Sequence, residues 1–184
     1  MNLTNLPTYF SEPDQKKTCD YLTNLTIPDI SLPNQDGNFL KLNRSDTFRL
    51  VIFCYPMTGH PNRTLPKKWN EIPGAKGCTT QNCSFRDNYD NLIISNALPV
   101  GVSTQSISDI KEMSIRLQIP YDIISDQLLT LSSAINLPTF SNQNKIFLKR
   151  LTMIVEKSVI KKVFFPIYSP NKHINDVLEW LNKK

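Results

Sequence analysis

Two cysteines five positions apart, Cys78 and Cys83, are the residues of this sequence best suited to redox chemistry. Cys78 follows Gly77 where a long polar loop gives way to a helical pattern of apolar residues. A thiol in the first turn of a helix faces unpaired backbone N–H groups and the positive end of the helix dipole. Both favour the reactive thiolate. A thiolate is the nucleophile that attack on the O–O bond of a peroxide requires, and that attack gives a sulfenic acid, so this context predicts a redox-reactive thiol.

The spacing of the two cysteines places a limit on how they can react with each other. In a regular helix residues five apart have Cα atoms about 8.6 Å apart, for a rise of about 1.5 Å per residue and a radius of about 2.3 Å. A disulfide requires Cα atoms within roughly 7 Å. If Cys83 captures oxidised Cys78, the first turn or more of the helix must therefore unwind. The same spacing also fits two unrelated cysteines on one helix, one of them simply buried.

Strands and helices alternate through the middle of the chain. The apolar run over 50–55, ended by Pro56, predicts a strand that is buried on both faces, and Asp36-Gly37 between two short apolar runs predicts a hairpin. Helical spacing of apolar residues predicts a helix over 79–97. Further strands are predicted at 98–102, 121–124, 151–155 and 159–165, and further helices at 106–118, 128–135 and 171–181. This order indicates an α/β domain with a parallel or mixed sheet covered by helices on both faces.

The domain organisation that we predict is simple. Residues 1–25 form an N-terminal arm, in which Cys19 is expected to be exposed. Residues 26–184 form the single α/β domain, with an inserted loop at about 59–76. A polar loop of this length inside a compact domain is often functional. Cys54, inside the predicted strand at 50–55, is expected to be an inert core residue.

Composition excludes several classes of function. The net charge of +5 comes from lysine pairs scattered along the chain, which is typical of a solvated surface and not of a nucleic-acid footprint. The N-terminal residues lack a secretory pattern, and the longest apolar run is too short to span a bilayer, so we expect a cytoplasmic protein with reduced cysteines. Only His60 and His173 accompany the four cysteines, so a metal site is poorly supported.

The segment from Gly77 to Asp87 resembles the active-site segment of peroxiredoxins, and most closely that of their Q-type branch, also called bacterioferritin comigratory proteins. In that branch two redox cysteines lie five apart on one helix. The resemblance covers roughly residues 26 to 182 and is carried by further segments at 27–42, 51–56, 100–104, 124–126, 149–155 and 159–165. It implies a thioredoxin-like fold.

The resemblance also implies roles for three residues. Cys78 matches the peroxidatic cysteine, Cys83 the resolving cysteine, and Arg150 the arginine that family members place against the peroxidatic thiolate. A guanidinium there would stabilise the thiolate and hydrogen-bond the peroxide. The implied activity is reduction of hydrogen peroxide or organic hydroperoxides. Thioredoxin or a similar dithiol would restore the thiols, with no metal or organic cofactor, no nucleic acid and no membrane, in a monomer or homodimer.

The sequence departs from the family pattern just before the reactive cysteine. The family's threonine three residues before it is Ala75 here, and the proline seven before it is Glu71. We therefore expect Thr58, two residues after Pro56, to supply the missing hydroxyl. The departure keeps an alternative open, a catalytically weakened redox sensor or binding module on the same scaffold. A thioredoxin-type disulfide oxidoreductase is less well supported because no Cys-x-x-Cys motif is present.

Overall fold

A computed structural model describes residues 18–44 and 48–183 of the chain. The strands are β1 Ser31–Pro33, β2 Phe39–Lys41, β3 Arg49–Cys54, β4 Ala97–Ser103, β5 Asp122–Ser125, β6 Thr139–Asn142, β7 Lys145–Leu148, β8 Leu151–Glu156 and β9 Val159–Phe164. The helices are α1 Cys78–Asp87, α2 Tyr89–Ile94, α3 Ile107–Leu117, α4 Thr130–Ala134 and α5 His173–Asn182. Short 3₁₀ turns occur at Asp20–Leu22 and Trp69–Glu71.

Five of the strands form a mixed sheet in the order β5-β4-β3-β8-β9. The central strand β3 pairs in parallel with β4 and antiparallel with β8. The pairs β6-β7 and β1-β2 are separate antiparallel hairpins, the second of which was predicted from its Asp-Gly turn. The predicted α/β fold with a central mixed sheet is therefore confirmed.

The central sheet divides the interior into two apolar clusters. Side chains along β3 alternate between them: Leu50, Ile52 and Cys54 face one cluster, and Val51 and Phe53 face the other. This follows from the period of two along a strand and explains why β3 is apolar on both faces. The second cluster includes Phe85 of α1, whose ring stacks on Phe53 with centroids 4.1 Å apart. The helix that begins with Cys78 is therefore anchored to the middle of the sheet.

The helix predicted over 79–97 is in fact two helices and the start of a strand. The break falls at Asn88, whose backbone leaves helical geometry at φ −111° and ψ 17°. Its side chain donates back to the carbonyl oxygen of Ser84 at 3.0 Å. Asparagine competes in this way with the backbone hydrogen bonds of a helix, so apolar periodicity alone misses the boundary.

The β6–β7 hairpin was not predicted from the sequence. Its strands are short, and its turn is made by Gln143 and Asn144, which both have positive φ, of 48° and 61°. Two left-handed residues of this kind make a tight hairpin turn, but the usual sequence signal for it is Asn-Gly or Asp-Gly. The hairpin contributes Phe140 and Phe147, which pack on Trp69 of the segment predicted as an inserted loop, with ring centroids 5.9 and 4.9 Å away.

The described part of the predicted arm lies against the domain. Leu22 is wholly buried, and Cys19 is 4 % exposed, so the expectation of an exposed Cys19 is wrong. Burial of Cys19 follows from the 3₁₀ turn beside it, which packs both residues into the first apolar cluster. Residues 1–17 of the predicted arm lie outside the described residues. No helix within the described ranges is long and apolar enough to cross a membrane.

Candidate active site

Cys78 is the first residue of α1, as the sequence predicts. Gly77 precedes it with φ +90°, a left-handed conformation that favours glycine. A Cβ atom on Gly77 would also lie 2.5 Å from Cγ of Pro170, so no side chain fits there. These two constraints place the Cys78 thiol at the N-terminus of the helix, within a closely packed corner of the molecule, where it is 3 % exposed.

Arg150 lies against the sulfur of Cys78. Its Nη2 donates to Cys78 Sγ at 3.1 Å and to the carbonyl oxygens of Lys76 at 2.8 Å and Gly74 at 3.1 Å. Nη2 has two hydrogens for these three acceptors, so two of the acceptors share one hydrogen. The side chain of Arg150 is buried at 4 % exposure, and it is held at the residue before β8. The structure thus brings together two of the four predicted site residues.

Thr58 is buried but faces another partner. Both its amide and its hydroxyl donate to Oε1 of Gln105, at 2.9 and 3.1 Å, and Nε2 of Gln105 donates back to the Thr58 carbonyl at 3.3 Å. Among the described residues, no hydrogen bond joins Thr58 to Cys78 or Arg150. The hydroxyl expected beside Cys78 is thus engaged with Gln105, two residues after the end of β4, where it anchors the start of the inserted segment.

Cys83 is half-buried on the same unbroken helix as Cys78, and both are free thiols. A residue five positions along a helix lies about 8.6 Å away between Cα atoms, which exceeds the reach of a disulfide. The structure therefore keeps the two predicted redox cysteines apart. Their bonding requires that α1 open.

The other two cysteines are unsuited to nucleophilic chemistry. Burial raises the pKa of the Cys19 thiol to about 11, with Asp20 adding to the effect. Burial, with a smaller contribution from Asp126, raises the pKa of Cys54 well above its usual range. Because only a thiolate is a good nucleophile, both remain inert thiols near neutral pH. Cys54 thus behaves as the core residue that the sequence predicts.

Gln81 is a site residue that the sequence analysis missed. It is wholly buried, and its Oε1 accepts a hydrogen bond from Nη1 of Arg150. Its position offered one signal, because residues three apart lie on the same face of a helix and Gln81 follows Cys78 by three. A polar residue on a helix is usually solvated, however, and nothing in the sequence indicated that this one is buried.

Three buried polar atoms near Cys78 have no hydrogen-bond partner among the described residues: Tyr55 Oη, Gln81 Nε2 and Arg150 Nε. Burial raises the pKa of the Tyr55 phenol well above its usual range, and the nearby Cys78 adds to this effect. Buried polar atoms are nearly always paired in proteins, so these three set the surroundings of Cys78 apart from an ordinary apolar core.

A cavity of about 520 Å³ lies beside the site. Gly77 and Arg150 line it where it meets the Cys78 helix. Its other walls are the end of the inserted segment, the β6–β7 hairpin and the segment before α5. Besides prolines, the apolar side chains among them are Ile72, Phe140, Phe165, Ile167 and Tyr168. A cavity of this size and lining suits an apolar group attached to the reacting atoms.

Comparison with known proteins agrees with this fold. Residues 70–163, just over half of the chain, match the AhpC/TSA family, and the chain belongs to that family. It is 26% identical over 155 residues to the chloroplastic peroxiredoxin Q of Suaeda salsa. That match covers 84% of this chain and 64% of the relative, so the chain spans less than two thirds of that protein's length. It is 34% identical over 101 residues to peroxiredoxin bcp1 of Schizosaccharomyces pombe, which covers 54% of this chain and 44% of that protein.

Solved structures share the fold. Peroxidoxin BcpB from Mycobacterium tuberculosis superposes with a TM-score of 0.71 at 22% identity, over 88% of this chain and 96% of that one. Peroxiredoxin Q from Xanthomonas campestris superposes with a TM-score of 0.68 at 19% identity, over 84% and 90% of the two chains. The thioredoxin-like fold implied by the sequence resemblance is therefore confirmed.

Proposed function

We propose that this protein is a thiol peroxidase in which Cys78 is the attacking residue. The observation that carries the proposal is the contact of 3.1 Å between Arg150 Nη2 and Cys78 Sγ at the first residue of α1. A fixed guanidinium and a helix N-terminus both stabilise negative charge on the sulfur, which is otherwise buried. The names of the relatives, all peroxiredoxins or peroxidoxins in the matches given above, support the same activity.

The proposed reaction begins with attack of the Cys78 thiolate on the terminal oxygen of a hydroperoxide. The S–O bond forms as the O–O bond breaks, leaving a sulfenic acid on Cys78 and an alkoxide or hydroxide as leaving group. The leaving oxygen takes a proton from solvent and departs as alcohol or water. Arg150 stays beside the sulfur throughout and offsets the charge that moves from sulfur to oxygen.

Cys83 then resolves the sulfenic acid in this proposal. Its thiolate attacks the Cys78 sulfur, which forms a disulfide and releases hydroxide, and solvent protonates the hydroxide to water. Because α1 holds the two residues apart, the helix must first open at its N-terminal end. Thioredoxin or a similar dithiol then reduces the disulfide. A monomer or homodimer in the cytoplasm, with residues 1–25 as an arm, remains our prediction for the whole protein.

For the substrate, we propose that organic hydroperoxides are accepted as well as hydrogen peroxide. The apolar walls of the cavity beside Arg150 support this, because hydrogen peroxide itself has no apolar group that would contact them.

For Thr58, the hydrogen bonds to Gln105 favour anchoring of the inserted segment over contact with the peroxide. A Thr58→Val variant that keeps the full peroxidase rate would remove Thr58 from the catalytic set.

Steady-state turnover with peroxide, thioredoxin, thioredoxin reductase and NADPH tests the proposal. We expect turnover by the wild type, none by Cys78→Ser, and strongly reduced turnover by Cys83→Ser, with Cys19→Ser and Cys54→Ser close to wild type.

A second candidate function is a redox sensor. It is favoured by Ala75, which lacks the hydroxyl that a threonine would supply three residues before Cys78. That candidate predicts oxidation of Cys78 with a large change in shape but little turnover, so the same assay separates the two functions.

A further inference from the structure

The cavity beside Cys78 combines apolar walls with charge of a single sign. Lys76, Lys149 and Arg150 line it, and among the described residues that line it none is an aspartate or a glutamate. A cleft with charges of one sign between walls of low dielectric constant concentrates ligands of the opposite sign. The lining is therefore suited to a substrate that is both apolar and negatively charged.

Both lysines extend from the backbone at the reacting end of the cavity. Lys149 precedes Arg150, whose Nη2 lies 3.1 Å from Cys78 Sγ. Lys76 is two residues before Cys78, and its carbonyl oxygen accepts a hydrogen bond of 2.8 Å from the same Nη2. Charges act on each other over about 10 Å at 0.1 M salt. A negative group on the body of a substrate whose peroxide meets Cys78 would therefore come within range of both lysines.

The charges of the two lysines are not neutralised by the protein. Within residues 18–44 and 48–183, no ion pair joins Lys76 or Lys149 to a carboxylate. Lys76 is exposed and Lys149 is half-buried. Arg150 differs from them, because its guanidinium contacts the Cys78 sulfur and its charge is offset when that sulfur is a thiolate. In the reactive form of the site, the lysines thus supply the surplus positive charge of the cavity.

We infer that Lys76 and Lys149 are specificity-determining residues through which the cavity selects organic hydroperoxides that carry a carboxylate. This inference deepens the proposed peroxidase function and rests on it. The apolar body of such a substrate packs on the cavity walls while its carboxylate lies in the field of the two ammonium groups. Lysine is a mobile point charge, so it attracts the carboxylate without imposing one geometry. Hydrogen peroxide and neutral hydroperoxides gain nothing from these two residues.

Two substrates that differ only in charge test the inference. Cumene hydroperoxide with a carboxylate in the para position is compared with its methyl ester, which places an uncharged group of similar size at the same point. The readout is the ratio of the two rate constants for oxidation of Cys78, divided by the same ratio for free cysteine, so that general changes in thiol reactivity cancel. We expect a ratio of about 5 to 10 at about 20 mM salt, falling below about 2 at about 1 M salt, where charges are screened within about 3 Å.

Two double variants separate the cavity lysines from the net charge of +5. Lys76→Gln combined with Lys149→Gln should bring the ratio at low salt close to one. Lys111→Gln combined with Lys161→Gln removes the same charge at exposed residues that do not line the cavity, and it should keep the wild-type ratio.

Each other outcome has a definite meaning. A wild-type ratio near one at low salt would overturn the inference, and so would an unchanged ratio in the cavity variant. Equal losses in both double variants would assign the preference to net charge and would also overturn it. If the cavity variant does not fold, Lys76→Gln alone must lower the ratio at least about twofold. A wild-type protein that reacts with both substrates no faster than a free thiol would refute the peroxidase itself, which is a separate result.

Discussion

At the scale of single residues, Arg150 is the side chain that links the groups around Cys78. This arginine joins the sulfur, the Gln81 amide and the carbonyls of Gly74 and Lys76. A planar fork of donors can serve several acceptors at once, whereas the ammonium of lysine is a single point charge. The positive charge near the sulfur and the geometry of the N–H donors are therefore separate contributions of Arg150. A substitution by lysine keeps the charge and removes the donor geometry.

Arg150→Lys should lower the rate of peroxide reduction about 10- to 100-fold although the positive charge is retained. The buried acceptors left without donors should also reduce the free energy of unfolding by about 2 kcal/mol. Stopped-flow oxidation and urea unfolding measure the two effects. The control is Arg63→Lys at the exposed ion pair with Asp109, for which both values should stay close to wild type. A fully active Arg150→Lys protein would contradict the role of the fork.

Gly77→Ala should destabilise the protein more than Gly37→Ala, although both glycines have positive φ, of 90° and 82°. Left-handed backbone costs an alanine about 1 kcal/mol at either position. At Gly77 the new Cβ would also meet Pro170, whereas nothing lies within 4 Å of Gly37. We expect a further loss of about 1–3 kcal/mol from that overlap.

The comparison of these two glycines is read from the free energy of unfolding in urea. A Pro170→Ala change added to Gly77→Ala should recover part of the loss, because the two residues are in contact. Equal effects at the two glycines would mean that α1 does not depend on its packing against Pro170.

At the scale of elements, α1 and α5 meet at the site and are held by few contacts. Ser84 of α1 bonds to the carbonyl of Asn171, and Gly77 packs against Pro170. The first residue of α5, His173, is buried at 2 % exposure and bonds through Nε2 to Thr152 Oγ1 at 3.0 Å. The proposed opening of the first turn of α1 would disturb the packing of Gly77 against Pro170, so the segment before α5 bears on that step.

The stability of the fold should fall as the pH is lowered through the range where histidine titrates. Burial lowers the pKa of His173 below its usual value of 6.5, against the opposing effect of Asp176. The unfolded chain thus binds a proton more readily than the folded one, so the stabilisation is complete above pH 6.5 and is lost as the pH falls through the lower, folded pKa.

His173→Gln removes the titrating group and should flatten this dependence. Urea midpoints measured at about pH 7.5 and about pH 5.5 should differ less in the variant than in the wild type. If the two proteins showed the same change in midpoint, titration of His173 would have no part in it.

The inserted segment is held against the domain by an aromatic cluster. Trp69, which is 3 % exposed, packs on Phe140 and Phe147 of the β6–β7 hairpin. The same segment ends at Gly74 and Lys76, whose carbonyls accept hydrogen bonds from Arg150.

Trp69→Ala should therefore lower the free energy of unfolding by about 3–5 kcal/mol and also slow peroxide reduction. A loss of stability without a change in the peroxide rate would mean that the segment does not position Arg150.

At the scale of the whole molecule, the sequence was sufficient for the fold and for part of the site. Alternation along β3 and the helical spacing after Cys78 are local patterns that burial follows, and both elements are present, although the helix breaks at Asn88. The β6–β7 hairpin lacked a turn signal, and the burial of Cys19 and Gln81 depends on residues far away in the chain. Local patterns do not record such contacts. Thr58 is a further case: it was chosen because it follows Pro56 by two residues, but its hydroxyl bonds to the distant Gln105 and not to Cys78.

The most direct test of the central claim is the rate at which Cys78 reacts with peroxide in a single turnover. Reduced protein is mixed with one equivalent of cumene hydroperoxide, quenched at increasing times and analysed by mass spectrometry of the Cys78 and Cys83 peptides. We predict oxidation orders of magnitude faster than that of free cysteine, ending in a Cys78–Cys83 disulfide, and in a stable sulfenic acid on Cys78 when Cys83 is serine. Oxidation of Cys78 no faster than that of free cysteine would contradict the account.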